Sequence, residues 1–539
     1  MSQAPRTLGE ADVYVRRYTS RRERRRAMRN LILLITAVAG GWFFWVTRDN
    51  WPVARLVPKD PAFQICAMDL LMNRKEIAAS RVWDLAPPKT GVKEARTALS
   101  GNFGLPEWMI NNLMNGLGLI SGADLRDPES AIFVTRISRI GRLLETFRGF
   151  AKIIEDDPAG GLDLRHVKAG DAYYAIRGRV LVASRSRAAL VHALTMQEDE
   201  TLSAEDFRAV QEATAGRNLL VTVRPDAKDP FGDAFERVEM TFALKQDAAQ
   251  LECKAVPRAS FAPALAAIFG DKPPALQPPV QGLAEITGDF GRPFPEVYAG
   301  LLLAFPDNDL VQSARKAIEG FGQSAGDKAP MLARALSGLG TGFSLSWTGI
   351  DPYEVIPAPQ IIARIDAPQA AGYGVLLRAA LKKQPEVNEA EQKPWFDDTT
   401  KIAQFPVFGG PSLHPAVTMR DQKIVITSST TLARDFAAGK VPLEAEGAQG
   451  NLMLRIHAGP AAAAILDAGQ EFADSGYLKG FTPETFRAFA EEWKTRAALM
   501  GDIYGLLQYA NGTMQFRLTM TMAPPAEAAP APRAVAKGE

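Results

Sequence analysis

RVLVASRSRAALVHAL (residues 179–194) and KIVITSSTTLARDFAA (residues 423–438) carry the reading of the fold. Each starts with a short β-branched and apolar run, reaches serine, and passes into a helix-forming segment. A strand that ends in serine and feeds a helix, met twice in one chain, points to an internal duplication. Working outward, further pairs follow in the same order. AIFVTRIS (131–138) matches QIIARIDA (360–367), and NLLVTVRP (218–225) matches NLMLRIHA (451–458). MINNLMNGLG (109–118) matches MLARALSGLG (331–340). The hairpin 238–256, turning at Gln246-Asp247, matches residues 504–522, where Asn511-Gly512 is a strong hairpin signal. Residues 282–290 then correspond to the opening strand, 62–69.

The first half reads as strand 62–69, helix 70–85, and helix 106–117 closed by Gly116 and Gly118. Strand 131–137, helix 139–154, hairpin 171–176/179–184, helix 187–196 and strand 218–223 follow, before the closing hairpin. Hairpins mixed with helices imply an α+β fold: two tandem repeats of a largely antiparallel sheet packed by helices. One sheet face should lie under helices, leaving the other wet or used. The expected boundaries are repeat 1 over 62–257, a Pro-rich linker over 258–280 (DKPPALQPPV), and repeat 2 over 281–522. Insertions fall at 382–393 and 460–500, and the Pro/Ala-rich tail 523–539 should be disordered.

Before these repeats stands LILLITAVAGGWFFWVT (31–47), 17 residues without a charge. At about 1.5 Å per helical residue this is roughly 25 Å, at the short end of a bilayer span. Arg21, Arg22, Arg24, Arg25, Arg26 and Arg29 precede it, and Trp42, Trp45 and Trp51 gather at its far end. Positive-inside bias and the interfacial preference of tryptophan give one orientation. Residues 1–30 form a basic cytoplasmic tail, 31–47 a single transmembrane signal-anchor, and 48–61 a connector to a periplasmic bulk. The expected site is the bacterial inner membrane, with lipid as the helix's partner. A cleaved signal ending near Ala37-Val38-Ala39 is the rival reading; its apolar run before the cut is shorter than usual.

The net charge of +1 over 539 residues conceals a basic tail and a mildly acidic remainder, so no nucleic-acid partner is expected. Cys66 and Cys253, the two cysteines, read as inert core thiols, with a disulfide as the alternative. His166, His192, His414 and His457 show no metal-ligand spacing, and His192 reads as a core or boundary residue. The acidic clusters 155–157, 307–309 and 397–398 lack a calcium-loop pattern and read as solvated loops. Ser184, Ser186, Ser428 and Ser429 sit at strand-to-helix junctions, where a serine oxygen caps the first helical turn. The glycines at 116–118 and 338–342 follow helical patterns, so they read as helix ends and turns instead of phosphate loops. Tyr173, Tyr174 and the tryptophans at 83, 108, 347, 395 and 493 are scattered and mostly expected in the core. No catalytic, metal or cofactor site is expected.

Val57-Pro58-Lys59-Asp60 before the first strand and the hairpin pattern Y-x-I-x-G-x-V-L-V-x-S over 174–184 resemble a loosely defined class of bacterial exported proteins. That class has one N-terminal span and a repeated sheet-and-helix unit outside the cytoplasm, without an assigned function. The resemblance implies architecture and carries no catalytic residues. The leading expectation is a non-catalytic, membrane-anchored envelope scaffold or assembly protein with an envelope protein partner. The alternatives are a module that binds lipid or another apolar ligand, and an envelope hydrolase of unfamiliar type.

Overall fold

Period-two patterning recurs through the chain beyond residue 60, and the computed structural model shows how the strands it builds pair. It describes residues 9–68, 70, 73–86, 91–101, 114–146, 154–168, 171–226, 232–325, 338–351, 357–368, 370–383, 394–405, 414–444 and 447–524. In chain order the strands are β1 Phe63–Met68, β2 Met114–Gly122, β3 Ile132–Ile137, β4 Ile154–Asp156, β5 Arg165–Val167, β6 Ala172–Arg177 and β7 Val180–Ser184. Then come β8 Leu219–Val223, β9 Phe235–Leu244, β10 Ala248–Pro257, β11 Ala284–Asp289, β12 Gly342–Asp351, β13 Ala358–Asp366 and β14 Lys382–Lys383. The remainder are β15 Trp395–Asp397, β16 Ile402–Gln404, β17 Ala416–Arg420, β18 Lys423–Thr427, β19 Leu452–His457, β20 Met500–Ala510 and β21 Thr513–Met522. The fold is α+β, with an N-terminal apolar helix and largely antiparallel sheet.

The chain forms two compact units. The first comprises Met1–Pro61, Asp69–Met72 and Gly104–Gln211. Its sheet runs β2-β3-β7-β6-β5-β4, antiparallel throughout. Leu119, Val134 and Val182 meet in register and are fully buried with Val180, Leu164 and Leu190. Helix Arg187–Thr195 packs on β3, β6 and β7, and the Ser186 hydroxyl accepts the Ala189 amide at 3.2 Å, as the capping reading requires. The long helix Gly9–Val46 also belongs to this unit; its Arg21–Val46 part is long and apolar enough to cross a membrane and is unburied.

The second unit comprises Ala62–Met68, Asn73–Phe103 and Glu212–Glu539. Its strands form one ladder, β1-β8-β9-β10-β21-β20-β19-β11-β12-β13-β18-β17-β16-β15-β14. All pairings are antiparallel except β14 with β15. Helix Thr430–Ala437, capped by Ser429 through the Leu432 amide at 3.1 Å, packs on β16, β17 and β18. Its Leu432 and Phe436 pack with Ile362, Val425 and Val280. Helices Ala458–Asp474 and Pro483–Ala497 pair with each other, as the helical reading of 460–500 anticipates.

Several expectations are corrected. The expected helix 106–117 is a strand from Met114 onward, because Leu117 and Leu119 alternate into the core; residues 106–113 lie outside the described chain. The stretch 70–85 breaks into helix Arg74–Ala79 and a 3₁₀ turn, Arg81–Leu85. Helix 139–154 is described only as Arg139–Thr146, and Ile154 already starts a strand. The Pro-rich 258–280 is no free linker: it holds helix Ala262–Phe269 and buries Leu276 and Val280. Bridges from Ala275 to Gln449 and from Val280 to Leu443 explain why it is fixed. The disulfide alternative fails, since both thiols are free. Cys66 on β1 and Cys253 on β10 have β8 and β9 between them, so about 14 Å of sheet separates positions that a disulfide needs within about 7 Å. Of the repeat pair 109–118/331–340 only 114–118 and 338–340 are described, and most of 382–393 and the tail from 525 lie outside the described residues.

Candidate functional site

Registers in the second unit place side chains from many strands in single file. Residues directly opposite one another share a sheet face. One file runs Leu219, Phe242, Leu251, Leu518, Gly505, Leu454, Ile286, Leu345, Ala363, Ile426, Val417 and Ala403, from β8 to β16. The file two residues along reads Val221, Met240, Cys253, Phe516, Leu507, Leu452, Gly288, Phe343, Ile365, Ile424 and Met419. On the other side a third reads Leu244, Ala249, Met520, Ile503, Ile456, Ala284, Trp347 and Ile361. Every position is apolar. At about 4.8 Å per strand the first file is roughly 50 Å long.

This face is open. Leu345 is 47 % exposed, Ile286 39 %, Ile426 38 % and Phe242 38 %; most other members of the three files are half-buried. The opposite face of β11, β12, β13 and β18 carries Glu285, Thr287, Ser344, Ser346, Arg364 and Thr427, and these are the buried residues. Arg364 donates to Ser344 Oγ at 2.7 Å, to the Pro278 carbonyl at 2.8 Å and to Glu285 Oε1 at 3.1 Å. Glu285 also accepts from the Val280 amide at 2.7 Å and the Thr287 hydroxyl at 2.8 Å. Burial pushes the Glu285 carboxyl above its ordinary value against the pull of Thr287, Arg364 and Val280. Burial likewise lowers the Arg364 guanidinium, which Glu285 pulls back up. Across β11, β12, β13 and β18 the polar face is therefore covered and bonded, and no described residue covers the apolar face there. A soluble monomer's largest apolar patch is about 300–600 Å², and larger ones mark contact with a ligand, partner or membrane.

Where β9, β10, β21 and β20 meet, the polar face opens into a cleft of about 250 Å³. Arg217 and Arg517 hold Glu252 at 2.6 and 2.9 Å there, and the Arg217 hydrogen bond leads in keeping its carboxyl below the usual range. These three charges satisfy one another.

The residues singled out from sequence do not converge. Arg21, Arg22, Arg24, Arg25, Arg26 and Arg29 are exposed along the apolar helix, with Trp42 and Trp45 exposed near its end. Trp51 lies 5.9 Å from both the Arg55 and Arg177 guanidinium carbons. His192 is exposed, not in the core. His166 pairs with Asp171 at 3.0 Å and His457 with Asp502 at 2.7 Å. Among the described residues no cluster suited to a metal ion occurs. Glu155, Asp157 and Asp397 are not simply solvated: the first two form ion pairs with Lys168 and Arg187, and Asp397 accepts from Thr399 and Thr400. Gly340 and Gly342 pack against Asp366, leaving no room for a side chain. Tyr174 is buried; Trp83, Trp347 and Trp395 are half-buried, Trp493 is exposed, and Trp108 lies outside the described residues.

No protein-family model matches the chain, and no curated protein matches it significantly. Among solved structures, crystal forms IV, III and I of TP0453 align at 7 %, 5 % and 9 % identity, with TM-scores of 0.22, 0.24 and 0.23. They cover 38 %, 43 % and 39 % of this chain and 79 %, 90 % and 80 % of theirs. At such scores the likeness carries no argument about fold or function.

Proposed function

We propose that this is a membrane-anchored extracytoplasmic protein of the bacterial envelope whose second unit binds the acyl chains of lipid, or a similar apolar envelope molecule, along its open sheet face. The observation that carries the reading is the three-file apolar face opposite a covered polar one. A roughly 50 Å file exceeds the ~30 Å hydrocarbon thickness of a bilayer, so it accommodates whole chains. The helix Arg21–Val46 supplies the occupant's source: inserted with its arginines on the cytoplasmic side, it ties the chain that carries the face to the inner membrane.

Strand order supports the duplication behind this architecture. In the second half, β21-β20-β19-β11 and β12-β13-β18-β17-β16-β15 are continuous. The first half repeats both orders, as β10-β9-β8-β1 and as β2-β3-β7-β6-β5-β4. The halves join through β10 and β21, antiparallel in register from Ala248–Thr521 to Ala255–Met514.

The test is photocrosslinking in native membranes, with p-benzoylphenylalanine at position 345 on the apolar face or at position 254 on the polar one. A lipid adduct at 345 and none at 254 is the expected result. A protein adduct at 345 would replace this reading with the scaffold, because such patches also mark protein contacts. No adduct at 345 refutes both.

A further inference from the structure

The connector after the apolar helix is clamped to the first unit. Asp49 lies 3.2 Å from Arg136 and 3.5 Å from Arg179. Gly178, at φ +60°, lets the β6–β7 turn approach so closely that a Cβ there would sit 2.9 Å from Asn50 Oδ1. Trp51 is flanked by Arg55 and Arg177. The end of the helix is therefore fixed relative to the sheet that receives it.

Beside that fixed point stands helix Arg139–Thr146, RIGRLLET, started by Ser138 accepting the Gly141 amide at 2.9 Å. It touches the end of the long helix, where the Arg139 guanidinium carbon lies 5.3 Å from the Phe44 ring. Its inner side is anchored by buried Gly141 and by Glu145, which accepts from Tyr174 at 3.0 Å. Ile140 and Leu144, one turn apart on one face, are 39 % and 41 % exposed. An exposed apolar stripe with arginines beside it is the pattern of a helix lying in a membrane interface.

We propose that Arg139–Thr146 is such an interfacial helix, seated in the bilayer that Arg21–Val46 spans, with Ile140 and Leu144 among the lipid chains. Lipid is the occupant because this helix abuts the end of the spanning helix through Arg139 on Phe44, where Phe44 and Trp45 are themselves 65 % and 71 % exposed. The proposal rests on that helix being a span; the open sheet face plays no part in it. One span fixes the height of a domain; a second insertion beside it fixes the tilt.

The experiment uses the full chain carrying Cys66→Ala and Cys253→Ala, in phosphatidylethanolamine/phosphatidylglycerol vesicles. A nitroxide is placed at position 144, 38 or 205, each reached by a substitution to cysteine, and its depth is read from oxygen and nickel accessibility. The expected result puts position 144 about 5–10 Å below the headgroup boundary. Position 38 should be deeper, toward the middle of a core about 30 Å thick, and position 205 in water. A label at 144 as nickel-accessible as that at 205, with 38 deep, overturns the interfacial helix and leaves the span standing. A label at 38 in water overturns the span and the proposal together. Where the labelled 144 variant melts below its parent, position 140 gives the same reading.

Discussion

If the apolar face of the second unit is open in the folded protein, Leu345→Ser and Ile362→Ala must differ in cost although both remove aliphatic side chains from neighbouring strands. Ile362, on the covered face, is 0 % exposed and packs with Val280, Val425, Leu432 and Phe436. Truncating such a side chain costs about 2–5 kcal/mol, from lost transfer energy and the cavity left behind. Leu345 keeps 47 % of its surface in solvent. Full burial of leucine is worth about 1.5–3 kcal/mol, so half of it, roughly 1 kcal/mol, is all that Leu345→Ser can remove from the transfer term. No closed cavity forms, because none of the described residues closes over Leu345. Urea unfolding of the full chain in nanodiscs, followed by tryptophan fluorescence, reads the difference as shifts of the midpoint at constant slope. A Leu345→Ser shift equal to that of Ile362→Ala would mean that the face is covered, and would refute the reasoning. The same variant should lose lipid crosslinking at a neighbouring position, such as 286, while keeping its fold.

Arg364→Met leaves the buried Glu285 carboxylate without its cation and should destabilise by about 3–5 kcal/mol in the same urea assay. Because burial raises the Glu285 pKa above its ordinary 4.5, the folded chain holds that proton more tightly than the unfolded one. The group's contribution is thus fully present below its unfolded pKa and is lost as pH rises through the folded one. Stability of Arg364→Met should accordingly improve on acidification, and a loss there would show another carboxylate to be in control. Burial also raises both thiols, Cys66 more enclosed than Cys253. Iodoacetamide should modify the native chain slowly and both cysteines at once in urea; a protected disulfide would show as no reaction without reductant. Ser186→Ala and Ser429→Ala each remove a helix cap and should cost about 1 kcal/mol. A change in thermal midpoint at neither site would remove the capping assignment.

Local features were legible in the sequence because their causes are local. Ser186 and Ser429 cap where a polar side chain breaks an apolar strand before a helix, and the 504–522 hairpin turns at Asn511-Gly512 as that dipeptide demands. The failures have causes distant in sequence. Met114, Leu117 and Gly118 fit a helical spacing as well as a strand, and only pairing with β3 decides between them. The prolines at 273–279 read as a break because proline lacks a ladder donor, yet Ala275 among them bridges to Gln449 and Val280 just after them to Leu443. The candidate face escaped for a different reason. Alternation in β11 to β13 shows two faces but not which one is covered, and the default puts apolar residues inside. Here the covering segment, 275–281 with helix Thr430–Ala437, lies over Glu285, Ser344 and Arg364.

That inversion is stable only if both faces are provided for, and the chain provides for one. Glu285 and Arg364 would be costly to bury alone, but each is met by the other and by Ser344, Thr287, Pro278 and Val280. The same bonds fix the register of β11, β12 and β13, so the opposite side chains are held in file without a core of their own. Water against those files costs about 25 cal/mol for every Å² left exposed, a penalty that grows with each strand added to the ladder. An apolar occupant removes the penalty along the whole face at once. A chain tied to the membrane meets lipid at an effective concentration that no free protein partner reaches. On the proposed reading, duplication of the ladder and a membrane anchor would work in the same direction: the first would lengthen the apolar file, and the second would keep its occupant within reach.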